Sequence, residues 1–212
     1  MIAPAAASRA LRRLVAPVPV IPVLVIADAA RARPLAEALV EGGLAVIEVT
    51  FRTEAAADAL AAMADVPGAV PGAGTLLTPS DIDRALAAGA QFGVSPGATD
   101  TLLDAAEAAG LPMLPGAATA TEAMRLAERG YDFLKFFPAE ASGGATALKA
   151  LSGPLPGLAF CPTGGITREN AAAYLRLPNV VCVGGSWIAP ADLLEAGDWP
   201  AIAALARGGA AP

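Results

Sequence analysis

Short apolar runs alternate with longer stretches rich in Ala, Leu and Glu along the chain. The short runs have the length of buried strands, and the longer stretches carry apolar residues at helical spacing. The predicted strands cover residues 20–26, 45–50, 69–73, 91–94, 111–115, 131–136, 158–162 and 180–184. The predicted helices cover residues 31–42, 53–64, 79–88, 100–109, 119–128, 144–151, 167–176 and 190–206. Eight strand–helix units indicate a parallel sheet covered by helices.

Eight units also suit a closed (β/α)8 TIM barrel, and 212 residues lie near the short limit for that fold. We therefore expect an α/β protein whose single domain spans residues 1–212, with an N-terminal helix before the first strand. The rival fold is an open doubly wound sheet, which should carry a glycine-rich turn after its first strand. Here that strand is followed by Ala27-Asp28-Ala29-Ala30, without glycine. Three threonines are expected to cap helices: Thr78, Thr99 and Thr167.

Composition excludes several classes of protein. The net charge is −6, the pI is about 4.6 and no run of Lys or Arg occurs, so nucleic acid is not an expected partner. Arg9, Arg12 and Arg13 precede an apolar run and imitate a secretion signal, but prolines interrupt that run and it is needed as the first strand. We expect a cytoplasmic protein that does not enter a membrane, with Cys161 and Cys182 reduced and buried.

Lys135 is the residue that most constrains the chemistry. It is one of two lysines, and it lies in the most aromatic stretch of the chain, Tyr131 to Pro138. Burying an ammonium group is costly, and loss of the proton leaves a nucleophilic amine that can attack carbonyls and form a Schiff base. The alternative interpretation is a lysine at a strand end whose amine reaches water.

Three polar residues occur at alternate positions at the end of the second predicted strand. Side chains alternate along a strand, so Glu48, Thr50 and Arg52 share one face. An internal salt bridge or a solvated strand end would explain these residues without chemistry. In a barrel they would lie at the mouth, where active sites of this fold are found.

Glycines and turn residues follow several other strands. The third strand ends in Gly74-Thr75 and the fourth in Ser95-Pro96-Gly97, and both could be ordinary turns. Glycine pairs follow strands seven and eight, at 164–165 and 184–185. Barrels often hold a phosphate at those two positions, through bare backbone N–H groups helped by a helix N-terminus. Two pairs of turn glycines are the alternative.

Six motifs in order along the chain together resemble one family. They are Glu-Val-Thr-Phe-Arg-Thr, Gly-Ala-Gly-Thr, Ser-Pro-Gly, Phe-Leu-Lys-Phe-Phe-Pro-Ala-Glu, Pro-Thr-Gly-Gly-Ile and Val-Gly-Gly-Ser-Trp, between residues 48 and 187. The resemblance is to the 2-keto-3-deoxy-6-phosphogluconate (KDPG) aldolase family, which also cleaves 4-hydroxy-2-oxoglutarate (KHG). It implies a (β/α)8 barrel, usually a homotrimer, that is a metal-independent class I aldolase without a cofactor and takes a keto acid or sugar phosphate.

The resemblance also implies roles for individual residues. Lys135 would form the Schiff base and Glu48 would be the general acid and base. The expected substrate-binding residues are Arg52, Thr75, Pro96, Thr163, Gly164, Gly165, Gly185 and Ser186. The Thr50-Phe51-Arg52 series resembles the phosphogluconate branch of the family rather than the sister branch that acts on phosphogalactonate.

Other functions remain open on the residues alone. Another phosphate-binding barrel enzyme would use Lys135 only for its charge, and a sugar-phosphate-binding protein would not catalyse at all. A metal-dependent pyruvate aldolase is disfavoured, because the sequence lacks histidine and any close cluster of acidic residues.

Overall fold

The computed structural model describes residues 1–210, an α/β fold in which parallel strands curl into a half-barrel with helices outside. The strands are β1 Val20–Leu24, β2 Val46–Thr50, β3 Val70–Gly74, β4 Gly93–Val94, β5 Met113–Leu114, β6 Gly116–Ala117, β7 Phe133–Phe136, β8 Ala159–Pro162 and β9 Val183–Gly185. The helices are α1 Pro4–Val15, α2 Ala32–Glu41, α3 Ala56–Ala64, α4 Pro79–Ala87, α5 Asp100–Ala109, α6 Ala120–Arg129, α7 Gly144–Ser152, α8 Ala171–Leu175, α9 Ala191–Ala196 and α10 Trp199–Ala210.

The strands form two parallel sheets. One has the order β5-β4-β3-β2-β1-β9, and the other has the order β6-β7-β8. Parallel bridges between Phe160 and Val180 and between Thr163 and Gly184 join β8 to the segment that carries β9. Because all strands run in the same direction, their carboxyl ends meet at one edge, where polar side chains can converge.

The predicted fifth strand is confirmed in position but is interrupted. Pro115 separates β5 from β6, because proline has no N–H to donate to a neighbouring strand. Its carbonyl still accepts a hydrogen bond from the backbone N–H of Lys135, at 2.9 Å. The eighth predicted strand, 180–184, was placed too early, since the regular strand is Val183–Gly185.

Two of the three predicted helix caps are confirmed. Thr78 and Thr99 accept hydrogen bonds from the backbone N–H groups of Asp81 and Leu102 at the starts of α4 and α5. The prediction that Thr167 begins a helix was wrong. Thr167 instead forms a turn with Asn170, whose side chain accepts from the Thr167 N–H at 2.8 Å, and α8 begins only at Ala171.

The predicted helix 190–206 is two helices. Gly197 ends α9 in the left-handed conformation at φ 68°, and α10 begins two residues later. Left-handed glycine is a common helix terminator, because it lacks the Cβ that makes this conformation costly. The remaining predicted helices are confirmed with small shifts of their ends.

The N-terminal helix packs across the end of the strands opposite their carboxyl ends. Its buried face consists of Ala7, Ser8, Leu11 and Val15. Arg12 holds it in place by donating to the Asp132 carboxylate at 3.1 Å and to the Asp132 carbonyl at 2.6 Å. The end next to β7 is therefore covered by protein, and the carboxyl ends remain for a ligand. None of the helices within residues 1–210 is long and apolar enough to cross a membrane.

Candidate active site

Lys135 and Glu48 meet in the interior of the sheet. The Lys135 Nζ lies 3.1 Å from Glu48 Oε1, and the two side chains are 6% and 4% exposed. The centroid of the Phe137 ring lies 5.3 Å from Nζ. Both groups have been removed from bulk water, so each depends on the other for a hydrogen bond and for charge. Alternation along β2 predicted that Glu48 faces the barrel mouth, and the aromatic context of Lys135 predicted a buried amine; the fold brings the two side chains together.

Glycines make room for this pair. Lys135 is paired with Gly116 of β6 on one side and with Cys161 of β8 on the other. Glu48 is paired with Gly72 of β3. A Cβ added at Gly74 would lie 2.2 Å from Glu48 Oε1, so the carboxylate occupies the space that a side chain at position 74 would fill. Gly74 at the end of the third strand therefore does more than form a turn, since it allows the Glu48 carboxylate to approach the backbone closely.

The pair opens into a cavity of about 390 Å³ at the carboxyl ends of the strands. The lining residues are Val23, Glu48, Thr50, Arg52, Thr75, Pro96, Lys135, Phe137, Thr163, Gly164, Gly165, Ile166, Gly184 and Ser186. This volume is that of a small-molecule site. All but one of the predicted site residues are brought together here. The exception is Gly185, whose place in the lining is taken by Gly184.

Both glycines belong to β9, where Gly184 pairs with Ile21 and Gly185 with Pro22 of β1. Their side-chain positions face opposite ways, and a Cβ added at Gly185 would overlap the ring of Trp187 at 1.8 Å. Gly184 has a role at the cavity instead, because a Cβ there would lie 2.3 Å from the Thr163 hydroxyl oxygen. Alternation along β9 predicts that only one of the two adjacent glycines faces the cavity. The sequence does not indicate which one, because neither has a side chain.

Two residues give the mouth its polarity. Arg52 is exposed, and none of the ion pairs among residues 1–210 involves it, so its guanidinium is available to an anionic ligand. Thr75 has φ 61°, a left-handed conformation that is uncommon for a residue with a branched side chain. Such backbone outliers cluster at functional sites. Thr50 lines the cavity too, but its hydroxyl donates to the Leu24 carbonyl at 2.8 Å.

The loop after β8 is shaped by two left-handed glycines. Gly164 has φ 99° and Gly165 has φ 78°. Successive backbone amides in such a turn make a concave surface that suits anions. Within residues 1–210 the Gly165 N–H finds no hydrogen-bond acceptor. Ser186 lies on the same cavity wall with an exposed side chain. The expected help from a helix N-terminus is absent at this loop, because α8 begins only at Ala171.

The two cysteines do not line the cavity. Cys161 and Cys182 are free and buried, as predicted. A hydrogen bond with Cys161 and burial raise the pKa of the Cys182 thiol, which disfavours the reactive thiolate. In the part of the chain that the structure describes, His, Cys, Asp and Glu form no group that could hold a metal ion.

Comparisons with known proteins point in one direction. The family model for KDPG and KHG aldolase matches residues 12–205. The 2-dehydro-3-deoxy-phosphogluconate aldolase of Pseudoalteromonas atlantica is 54% identical over 89% of this chain and 88% of its own length.

Solved structures agree with these sequence relatives. The 2-keto-3-deoxy-6-phosphogluconate aldolase of Zymomonas mobilis with 3-phosphoglycerate is 48% identical, with a TM-score of 0.91 over 96% of both chains. The KDPG aldolase of Legionella pneumophila, with pyruvate captured as a covalent carbinolamine, is 47% identical, with a TM-score of 0.89 over 92% of this chain and 96% of the other.

Proposed function

This chain belongs to the family of KDPG and KHG aldolases, and we infer from that membership that it is a class I aldolase. It cleaves KDPG to pyruvate and glyceraldehyde 3-phosphate, and it cleaves KHG by the same chemistry. The observation that carries the assignment of residues is the buried contact between Lys135 and Glu48, which places a potential nucleophile beside a potential base.

Lys135 begins the reaction. In its neutral form the amine attacks the C2 carbonyl of the keto acid, and loss of water gives an iminium ion. Glu48, 3.1 Å from the amine, is positioned to exchange protons with it. Once C2 is bound to Nζ, the C4 hydroxyl is only a few bonds away and falls within reach of the same carboxylate.

Cleavage uses the iminium as an electron sink. Glu48 takes the proton of the C4 hydroxyl, the C3–C4 bond breaks, and its electrons form an enamine with C3. Glyceraldehyde 3-phosphate leaves as the aldehyde product. A proton returned to C3 regenerates the iminium, and water releases pyruvate and the free amine. One carboxylate thus acts alternately as base and acid, in a chain that contains no histidine.

The other cavity residues bind the two ends of the substrate. Arg52 and Thr75 would hold the pyruvyl carboxylate, with Pro96 and Thr163 against the carbon chain. Gly164, Gly165 and Ser186 would hold the phosphate through backbone N–H groups and one hydroxyl. The Arg52 guanidinium, which forms no ion pair within residues 1–210, and the two left-handed glycines support this arrangement. Gly185 would act by setting the course of β9. No residue in this scheme requires a metal or cofactor.

The proposal extends to the whole chain. We assign residues 1–212 to one domain whose two sheets close into a (β/α)8 barrel. The bridges between β8 and the β9 segment, and the continuity of the chain from β5 through Pro115 to β6, support closure. A homotrimer in the cytoplasm fits the family resemblance, the low charged fraction of 16% and the two free thiols.

Reductive trapping tests the assignment of the nucleophile. Borohydride reduction in the presence of pyruvate should add one pyruvyl group to the peptide that contains Lys135, as read by peptide mass mapping. Lys149 is an internal control, because it is exposed on α7 and carries the only other lysine amine. Labelling at Lys149, or none at all in an active enzyme, would contradict the mechanism. Lys135→Arg should be neither labelled nor active, because a guanidinium does not lose its proton.

A further inference from the structure

Three residues outside the cavity support the loop of Gly164 and Gly165 from behind. They are Glu140 after β7, Asn170 in the turn before α8, and Tyr174 in α8, and we call them the loop support. Tyr174 is 1% exposed, and its hydroxyl donates to Glu140 Oε1. None of the three lines the cavity. Glu140 ends the motif Phe-Leu-Lys-Phe-Phe-Pro-Ala-Glu, but the sequence assigned no role to it, to Asn170 or to Tyr174.

Glu140 contacts both glycines of the loop. Its backbone N–H donates to the Gly164 carbonyl at 3.1 Å. A Cβ added at Gly165 would lie 2.7 Å from the Glu140 Cβ and Cγ, so the stem of this side chain lies directly under the glycine. The conformation of Gly165 and the position of Glu140 therefore depend on each other.

Asn170 closes the other side of the loop. Its amide nitrogen donates to the Gly165 carbonyl at 3.0 Å, and its amide oxygen accepts from the Thr167 N–H at 2.8 Å. These bonds fix the plane of the peptide that follows Gly165. Backbone N–H groups bind an anion only when several of them point at one place, and their direction is set by such peptide planes.

Tyr174 in turn fixes Glu140. Burial, together with the hydrogen bond to Glu140, raises the pKa of Tyr174, so its hydroxyl remains a donor throughout the physiological range. Without the Tyr174 hydroxyl, the Glu140 side chain would be free to change its rotamer, because Glu140 is exposed to solvent. The chain of contacts thus runs from the buried face of α8 to the backbone of Gly165.

We propose that the loop support positions the Gly164–Gly165 backbone for the phosphate group, so that Tyr174 determines selectivity for phosphorylated over unphosphorylated aldols. The inference rests on the proposed function, since it refines the phosphate end of the same site. Tyr174, Glu140 and Asn170 are positioning residues that do not touch the substrate. The imine end of the cavity is held by other strands and should not depend on them.

Tyr174→Phe tests the proposal, because it keeps the buried ring and removes only the hydroxyl. We expect the KM for KDPG and the inhibition constant of 3-phosphoglycerate to rise about 3- to 10-fold, the range of one hydrogen bond. The kcat/KM for unphosphorylated KHG should stay within about twofold, since it lacks the phosphate.

Tyr131→Phe is the matched control. Tyr131 is also 1% exposed, and its hydroxyl also bonds a glutamate, Glu107, at 3.1 Å, but it precedes β7 at the far end of the strands. Its loss should leave the ratio of kcat/KM for KDPG to that for KHG unchanged. An unchanged ratio in Tyr174→Phe, or an equal change in Tyr131→Phe, would overturn the proposal.

Asn170→Ala provides a second test if Tyr174→Phe does not fold. It removes the bond to the Gly165 carbonyl and should shift the same ratio in the same direction; an unchanged ratio there would also overturn the proposal. The underlying function is measured separately, by pyruvate trapping on the wild-type enzyme. A wild-type enzyme that is not trapped would refute the Schiff-base assignment, whereas a trapped enzyme whose selectivity is insensitive to the loop support would refute only this inference.

Discussion

Lys135 and Glu48 are buried 3.1 Å apart, and each compensates the charge of the other. Removing either side chain would destabilise the protein, because the remaining charge would be buried without a partner. Each loses the solvation that water would give, and each recovers part of it from the other. In the proposed mechanism, proton exchange between the two groups would need no rearrangement. The consequence for stability is that removal of one partner leaves the other without a counter-charge in a closed interior.

Gly74→Ala tests how closely Glu48 is held. The new Cβ would overlap the carboxylate, with 2.2 Å to Oε1 and 2.6 Å to Cγ, so Glu48 must move away from Lys135. We expect turnover to fall about 10- to 100-fold, toward the loss of about 10²- to 10⁴-fold expected for Glu48→Gln. Steady-state kinetics with KDPG give the measurement.

Gly97→Ala is the control for that substitution, because nothing lies within 4 Å of a Cβ at this position. It should turn over like the wild type. Full activity of Gly74→Ala, with a normal melting temperature, would mean that the carboxylate can take another position without loss.

Ser186→Asp separates phosphate binding from the chemistry. A carboxylate at this position would repel the phosphate of KDPG, and we expect kcat/KM for KDPG to fall roughly 10- to 100-fold at low ionic strength. Cleavage of KHG and trapping of pyruvate should change far less. Ser186→Asn has nearly the same shape without the charge and serves as the control. Equal losses on KDPG and KHG would show that this wall shapes the whole cavity.

At the scale of elements, local signals decide where helices begin. Thr119 and Glu122 form a reciprocal capping box at the start of α6, in the same way as Thr78 and Asp81 at α4. The Ala118 N–H, which donates to the Glu122 carboxylate at 2.8 Å, is the largest cause that lowers the pKa of Glu122, and Thr119 adds to it. The ionised carboxylate is therefore the form that stabilises the helix.

Glu122→Gln should weaken α6 in a pH-dependent way. A carboxylate whose pKa is lowered by folding contributes stability above its unfolded value, about 4.5 for the free group, and that contribution is lost as the pH falls through the folded value. We expect a loss of about 0.5 kcal/mol at pH 7, because the group is exposed and screened, and a vanishing difference in strong acid. Urea unfolding at several pH values gives the free energies.

Glu128→Gln is the control on the same helix. It removes an equally exposed carboxylate outside the first turn, so it should not reproduce the pH dependence. A difference between Glu122→Gln and the wild type that persists unchanged into acid would contradict the role of the ionised cap.

At the scale of the whole molecule, the surface carries large apolar side chains. Val25, Leu77, Leu86 and Met124 are each more than a third exposed. Exposed apolar side chains scattered in this way are common in monomers too, so the prediction of a homotrimer rests mainly on the resemblance to the family. Light scattering in dilute buffer should give about three times the chain mass of 21.0 kDa. A mass near that of one chain would contradict the trimer.

The order of eight strand–helix units, the inward position of Lys135 and Glu48, and two helix caps were predictable from the sequence. These features depend on patterns only a few residues long, such as alternation in strands and capping residues before helices. They can therefore be predicted without knowledge of contacts between distant residues. The six ordered motifs supplied the family, which the comparisons then showed.

The tertiary structure decided what depends on residues far apart in the chain. It placed Gly184 rather than Gly185 at the cavity, because position 184 of β9 faces Thr163 and position 185 faces Trp187. It also brought Tyr174 to Glu140 across 34 positions of sequence, behind the loop proposed to hold the phosphate. Local patterns carry no record of such contacts, since each is selected by the packing of whole elements.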